Sequence, residues 1–282
     1  VSSLEKHDVE KLSTGNYARV RPLFADLRYN LVIDSIIDGH TPAWVYVDRR
    51  TAPRQALLWN RQDALLLAGS PDNGTFDRAV DGLFTGNILP DARARSIPQL
   101  ALFYDPAGWE EQLTTLLRGQ PAAKVRRRYY QPGPTGEPAP GTVPAGYRLR
   151  RIDEELLRQQ EVRNIAQVTG WVRSFWPGTT AFLEQGFGYC LLEGEHTVAS
   201  WCLTVYKSGA DYELGVATAP AYRQQGFATL VAAACVEHAR ARGFTLHWHC
   251  WEDNAPSIAV AARVGFEGST PYTVYHIPVP PA

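Results

Sequence analysis

The segment Tyr212–Ala228, YELGVATAPAYRQQGFA, decides how this chain is read. A β-like run stops at Pro220, and the pattern predicts a helix from about Gly226 to Arg242. Gly243 ends that helix, being free to take the left-handed C′ position. A strand that feeds a short loop into a helix start presents the unpaired N–H groups of the first turn. The helix dipole there favours a negative group by roughly 0.3 to 1 kcal/mol. Gly226 lets the backbone approach a phosphate closely, and Ala228 keeps the helix start narrow. Arg223 adds a cation where the dipole alone disfavours one, which points to a bound anion.

Outward from this segment the chain alternates strand and helix signals. Before it, strands are expected near Gly188–Leu192 and Val198–Tyr206, preceded by strand Tyr147–Arg151 and a helix that Asp153 caps and that runs to about Val168. After it come strand Phe244–Trp251, helix Ala255–Val264 and strand Tyr272–Ile277. In the first half, strands are predicted at Ala43–Val47, Gln55–Trp59, Ala64–Leu67 and Gln99–Tyr104, with helices at Phe76–Phe84 and Gly108–Leu117. Between the halves lies Gln131–Gly146, QPGPTGEPAPGTVPAG, in which nine of sixteen residues are Pro or Gly. Such a stretch spaces two units without packing. The expected organisation is domain 1–130, linker 131–146 and domain 147–282, in a mixed α/β fold.

The halves echo one another. WVYVDRRTAPRQALLWNRQDALLLAGSP (44–71) and YCLLEGEHTVASWCLTVYKSGADYELGVATAP (189–220) both read strand, turn, strand, turn, strand, then a small residue and proline. Any three-stranded meander reads alike, so chance similarity and duplication both fit. If the halves are copies, the first lacks the anion loop, because Pro71 is followed by DNGTFDRA.

Composition narrows the function classes. The 282 residues carry 28 Lys and Arg against 29 Asp and Glu, a formal net charge of −1, which argues against a nucleic-acid binder. No apolar run approaches a membrane span, and the start VSSLEKHDVEK lacks a secretory apolar segment, so a cytoplasmic protein without membrane partner is expected. Cys190, Cys202, Cys235 and Cys250 show no metal spacing and read as buried free thiols. No metal site is expected.

With Asn254-x-x-Ser257 and a helix ending Val264-Gly265-Phe266 downstream, the segment resembles the GNAT superfamily of acyl-CoA-dependent N-acyltransferases, clearly over about Phe187–Phe266. It is most similar to the branch that writes its loop Glu-x-x-x-x-Thr-x-x-x-Tyr-Arg-x-x-Gly-x-Ala-Thr, matched by Glu213, Thr218, Tyr222, Arg223, Gly226, Ala228 and Thr229. The resemblance implies a GNAT fold in the second half, a degenerate GNAT-like first half, and acetyl-CoA as cosubstrate. Its pyrophosphate would lie on the amides of Gln224, Gln225, Gly226, Phe227, Ala228 and Thr229, beside Arg223. Its pantetheine arm would run along Val216, Ala217 and Thr218, with Asn254 and Ser257 on the opposite side. The sheet would splay between the strands holding Glu213 and Trp248.

Acyl transfer to an amine needs a base. Glu213 is the candidate; it shares a strand face with Gly215 and Ala217, whose small size is expected to leave room for a substrate. A carboxylate paired with a basic neighbour is the competing reading. His247 and His249 share one face of the next strand as further candidates, or as packed structural residues. Glu252 and Asp253 read as helix-start residues. Family members often place a thiolate-protonating tyrosine seven residues after the asparagine; here that position is Ala261, leaving Ser257, Tyr222, Tyr272, Cys250 or water. Trp171, Phe175 and Trp176 fall where GNAT folds cover the acceptor, as pocket lining or as core. The expected function is acetyl transfer to a primary amine of a small molecule or peptide by direct attack. A catalytically silent acyl-CoA sensor and a scaffold without nucleotide are the alternatives.

Overall fold

The computed structural model describes residues 9–71, 74–117, 120–133 and 141–280. By internal contacts the chain divides into Val1–Val125 with Thr273–Ala282, and Arg126–Tyr272.

The first unit begins with β1 (Glu10–Lys11), a 3-10 segment over Thr14–Leu27 and α1 (Leu31–Ile37). A meander comes next: β2 (Trp44–Val47), β3 (Gln55–Trp59) and β4 (Ala64–Gly69), with β1–β2, β2–β3 and β3–β4 all antiparallel. Helix α2 (Gly74–Leu83) leads through a π turn at Phe84–Ile88 into α3 (Leu89–Ala94) and β5 (Gln99–Tyr104), which lies parallel to β4. Then comes α4 (Pro106–Leu116), and Tyr275–Pro278 pair antiparallel with β5. Strands β3 and β4 are near-continuous apolar runs because both faces are covered. Trp59, Phe76, Trp109 and Ile277 sit in one buried cluster.

The second unit contains most of β6 (Ala123–Pro132), then β7 (Tyr147–Arg151), α5 (Glu154–Arg158), α6 (Ile165–Phe175) and α7 (Thr179–Gln185). The meander β8 (Gly188–Glu193), β9 (Thr197–Ser208) and β10 (Asp211–Thr218) is antiparallel throughout, and β7 pairs antiparallel with β8. Helix α8 (Phe227–Arg242), β11 (Thr245–Trp251), α9 (Ala255–Arg263) and the part of β12 (Phe266–Pro278) up to Tyr272 complete it. β10 and β11 are parallel, and β6 pairs antiparallel with the far side of β11. The two sequence echoes are therefore the same supersecondary unit: an antiparallel meander, a crossover helix and a parallel strand.

Three expectations are corrected. The Asp153 side chain does cap a helix, accepting from Leu156 N at 2.8 Å, but that helix stops at Arg158 instead of reaching Val168. The chain between α5 and α6 is captured by the start of β9: Arg163 N donates to His196 O (2.8 Å), Val198 N donates to Arg163 O (3.0 Å), and Asn164 takes a left-handed conformation. The segment expected as linker begins inside β6, a strand with no period-2 apolar signal, and residues 134–140 of it lie outside the described residues. Glu252 does not serve the next helix; it pairs with Arg126 (3.2 Å) and Arg128 (2.8 Å) of β6. The four cysteines are buried and free, as expected, and burial pushes the Cys190 thiol up to about 12. Gly243 is left-handed at the end of α8.

Candidate active site

The ladder between β10 and β11 holds only Asp211↔Thr245, Tyr212↔Leu246 and Glu213↔His247. Beyond Glu213 the two strands part, and a register shift against β9 falls between Glu213 and Leu214. From there β10 is paired on its β9 side alone. Ala219 N donates to Ala199 O (2.9 Å), which sets the alternation: Gly215 and Ala217 bond toward β9, so Val216 and Thr218 turn their N–H and C=O toward the parting strands. That is an open strand edge inside a sheet.

The edge leads into the loop singled out in the sequence. Gln224 (φ +62°) and Gly226 (φ +78°) are both left-handed, and α8 starts at Phe227. The first helical hydrogen bonds run from Thr229 N (3.0 Å) and Leu230 N (3.4 Å) back to Gly226 O, so the helix does not use the N–H groups ahead of them. A Cβ on Gly226 would meet no protein atom within 4 Å; the loop faces open space. Arg223 is exposed, its Nε donating to Thr218 O at 3.4 Å. Tyr222 is tied down elsewhere: its hydroxyl donates to Glu193 Oε2 (2.7 Å), and that carboxylate holds the Tyr222 proton on more firmly than usual.

Asn254 caps α9, its Oδ1 accepting from Ser257 N at 3.1 Å, and Ser257 Oγ accepts from Trp248 Nε1 at 3.1 Å. Both residues thus brace the end of β11. Of the stand-ins for the missing tyrosine, Ala261 itself and Cys250 are buried in the core, and burial raises the Cys250 thiol pKa. Tyr272 shares a hydrogen bond with His249.

Glu213 lies at the fork with its side chain 13% exposed, and His249 Nε2 is 4.0 Å from its Oε2. The expected vacancy beside it is corrected. A Cβ on Gly215 would come within 2.9 Å of Trp171 Cζ3 and 2.7 Å of Val205 Cγ1, so the α6 indole occupies the space that Gly215 leaves. Trp171 meets Trp201 and Phe175 edge to face (5.7 and 5.9 Å), and Phe175 meets Tyr206 (5.5 Å). Trp176, by contrast, is core, its indole N–H donating to Thr204 O at 2.8 Å. Trp201 Nε1 is buried without a hydrogen-bond partner among the described residues.

Sequence reasoning missed Tyr129. It comes from β6, lies over His249 and His247 (ring centroids 4.7 and 5.6 Å apart) and joins its hydroxyl to His247 Nδ1 at 2.7 Å. Burial, with Asp211 and Glu213 nearby, pushes its pKa up, although the hydrogen bond from Gln131 pulls the other way. The tandem tyrosines before a proline were the available signal.

Among the described residues no group of His, Cys, Asp and Glu could hold a metal, and no helix is long and apolar enough to cross a membrane. Over 268 residues the chain is 26% identical to the uncharacterized N-acetyltransferase YdfB of Bacillus subtilis (strain 168), covering 95% of this chain and 98% of that protein. Its fold is similar to that of a GCN5-related N-acetyltransferase-like protein from Streptococcus suis 89/1591 (TM-score 0.68, 22% identity, 93% and 98% of the two chains). A tandem GNAT protein from the clavulanic acid biosynthesis pathway is also similar (TM-score 0.59, 16% identity, 97% and 99%). The second half carries the GNAT fold and the first a degenerate GNAT-like version of it. A profile of the GNAT acetyltransferase family matches residues 21–275. The chain belongs to the GNAT acetyltransferase family.

Proposed function

We propose that this protein transfers an acetyl group from acetyl-CoA to a primary amine of a small molecule or peptide. The observation that carries this reading is the early end of the β10–β11 ladder, which leaves a bare strand edge leading straight into a helix start with unused N–H groups. The residues fit the cosubstrate. Gln224 to Ala228 would hold the pyrophosphate by their N–H groups, that of Thr229 being taken by Gly226 O, since a left-handed Gly226 facing open space keeps side-chain bulk away from the backbone donors. Arg223 would add charge. Val216, Ala217 and Thr218 would receive the pantetheine arm as an added strand, with Asn254 and Ser257 on its far side. Acetyl-CoA, when bound, supplies an acyl carbon already activated as a thioester.

In this reading Glu213 accepts the proton that the attacking amine nitrogen sheds. It sits where β10 and β11 part, and the largely enclosed carboxylate has few water competitors. Trp171, Phe175, Trp201 and Tyr206 cover the same face of β9 and β10. An acceptor with an apolar body and a hydrogen-bond-accepting group suits this surface, because the buried Trp201 N–H is a donor that nothing in the described chain satisfies. The test is calorimetric titration with acetyl-CoA, followed by thiol release across a panel of amines. Glu213→Gln is expected to keep acetyl-CoA affinity and to lower kcat by about 10²- to 10⁴-fold. A kcat and pH–rate profile unchanged in that variant would remove Glu213 as the base.

A further inference from the structure

Across the three paired rungs of β10 and β11, each acidic side chain of β10 meets the histidine two residues past its direct partner. Asp211 Oδ1 lies 2.8 Å from His247 Nε2, and Glu213 Oε2 lies 4.0 Å from His249 Nε2. In both cases the other ring nitrogen meets a phenol: His247 Nδ1 meets Tyr129 at 2.7 Å, and His249 Nδ1 meets Tyr272 at 2.9 Å. The unit therefore builds one acid–imidazole–phenol chain twice, with different exposure. Asp211 is 45% and His247 13% exposed, against 13% for Glu213 and 2% for His249. The outer chain is open to water; the inner one ends on the carboxylate at the fork.

We propose that His249 is a positioning residue for Glu213: Tyr272 holds its Nδ1, and its Nε2 takes up the proton that Glu213 removes from the amine. This rests on the reading of Glu213 as base. The proton balance is simple. The amine nitrogen loses one proton to a Glu213 oxygen. That O–H breaks as an N–H forms at His249 Nε2, so Glu213 is a carboxylate again and His249 an imidazolium with Nδ1–H donating to the Tyr272 oxygen. The 4.0 Å gap exceeds a hydrogen bond but closes with a small side-chain rotation, as such contacts do when substrate binds. The imidazolium is tolerated in so buried a place because the carboxylate beside it offsets its desolvation. Other groups on this face are Tyr129 from β6, stacked on the imidazole, His247 and Asp211 of the outer chain, and Arg127, whose guanidinium lies over Trp251 at 4.6 Å.

The test uses the full chain labelled with 15N-histidine, following the His249 ring nitrogens by long-range 1H–15N spectra from about pH 5 to 9, with His249→Gln assigning the signals. Glu213→Gln is expected to lower the His249 pKa by about one unit or more, whereas Asp211→Asn is expected to leave the His249 signals in place. Tyr272→Phe is expected to shift the His249 tautomer balance. Should Glu213→Gln fail to fold, Glu213→Asp, which draws the carboxylate back by one methylene, is expected to give a smaller shift of the same sign. A His249 titration indifferent to both Glu213 variants overturns the proposal. In the thiol-release assay His249→Gln is expected to lower kcat on the order of 10- to 100-fold with acetyl-CoA affinity unchanged. Full kcat in that variant also overturns it. If no amine yields thiol release, the proposed reaction fails and this role with it, while the spectra still show whether Glu213 and His249 are coupled, so the two failures are told apart.

Discussion

The connection after β4 and the connection after β10 hold the same place in the same topology, and they have opposite character. In the second unit the parallel ladder is three pairs long and then opens. In the first it holds Ala64↔Ala101 through Leu67↔Tyr104, and Asp105 N continues toward Leu67 O at 3.3 Å. The space just beyond is filled by Trp109 of α4. That side chain is fully buried, its indole N–H donates to Gly69 O at 3.0 Å, and the neighbouring Gly108 packs on Pro71. The second unit leaves a strand edge and a helix start open; the first satisfies its own backbone with a tryptophan. One meander-and-crossover plan thus ends in an open fork or in plain core, depending on which side chains come after the parallel strand.

The sharpest way to break this comparison is Trp109→Ala. If the first unit is core at this point, removing the indole leaves a cavity and an unsatisfied Gly69 carbonyl, and about 3 to 5 kcal/mol of stability is expected to go. Differential scanning calorimetry reads that loss. Titration calorimetry on the same variant, at a temperature where it is folded, is expected to give one acetyl-CoA per chain, as in the parent. A second equivalent of acetyl-CoA in either protein would mean that the first unit also binds.

Gly226→Asp makes the second connection resemble the first, whose SPDNG carries an acidic residue at Asp72. A Cβ at Gly226 meets no protein atom, and Asp enters the left-handed region more readily than most residues, so the fold is expected to survive. The carboxylate then stands where the loop would receive phosphate. Acetyl-CoA affinity is expected to fall about 100-fold, roughly 2.7 kcal/mol, with little change in melting temperature. Equal affinity in variant and parent would end the assignment of the loop.

How much of the fold was legible in the sequence depends on the range of the interactions. The loop, Gly226 and Gly243 act within one helix turn, and both meanders announce themselves by alternation and turn residues. Strand β6 was hidden because four of the five residues Lys124–Arg128 are basic and its buried positions, Tyr129 and Tyr130, are adjacent instead of alternating; Glu252 and the edge of β11 receive it. The break between α5 and α6 is likewise imposed by β9, from more than thirty residues away. Gly215 was read rightly as small and wrongly as vacant, since nothing local announces that Trp171 lies across it. Glu213 could be named from its motif, but Tyr129 and Tyr272, which complete its surroundings through His247 and His249, come from distant strands.

The smallest effect is expected at Asn254, where comparison between the units separates two roles. Both parallel strands are followed by an Asx residue and a proline within two positions, Asp105-Pro106 and Asn254-Ala255-Pro256, because that pairing starts a helix. As a cap, Asn254 is therefore ordinary, and Asn254→Ala is expected to cost about 1 kcal/mol in chemical denaturation. Asn254→Asp keeps the accepting oxygen for Ser257 N and so keeps the cap, but it removes the amide N–H₂ and adds a negative charge at the start of α9. Stability is then expected to stay within about 0.5 kcal/mol of the parent while acetyl-CoA affinity drops several-fold. If Asn254→Asp binds as the parent does, Asn254 is a cap alone, and the pantetheine side proposed for the site falls to Val216, Thr218 and Ser257.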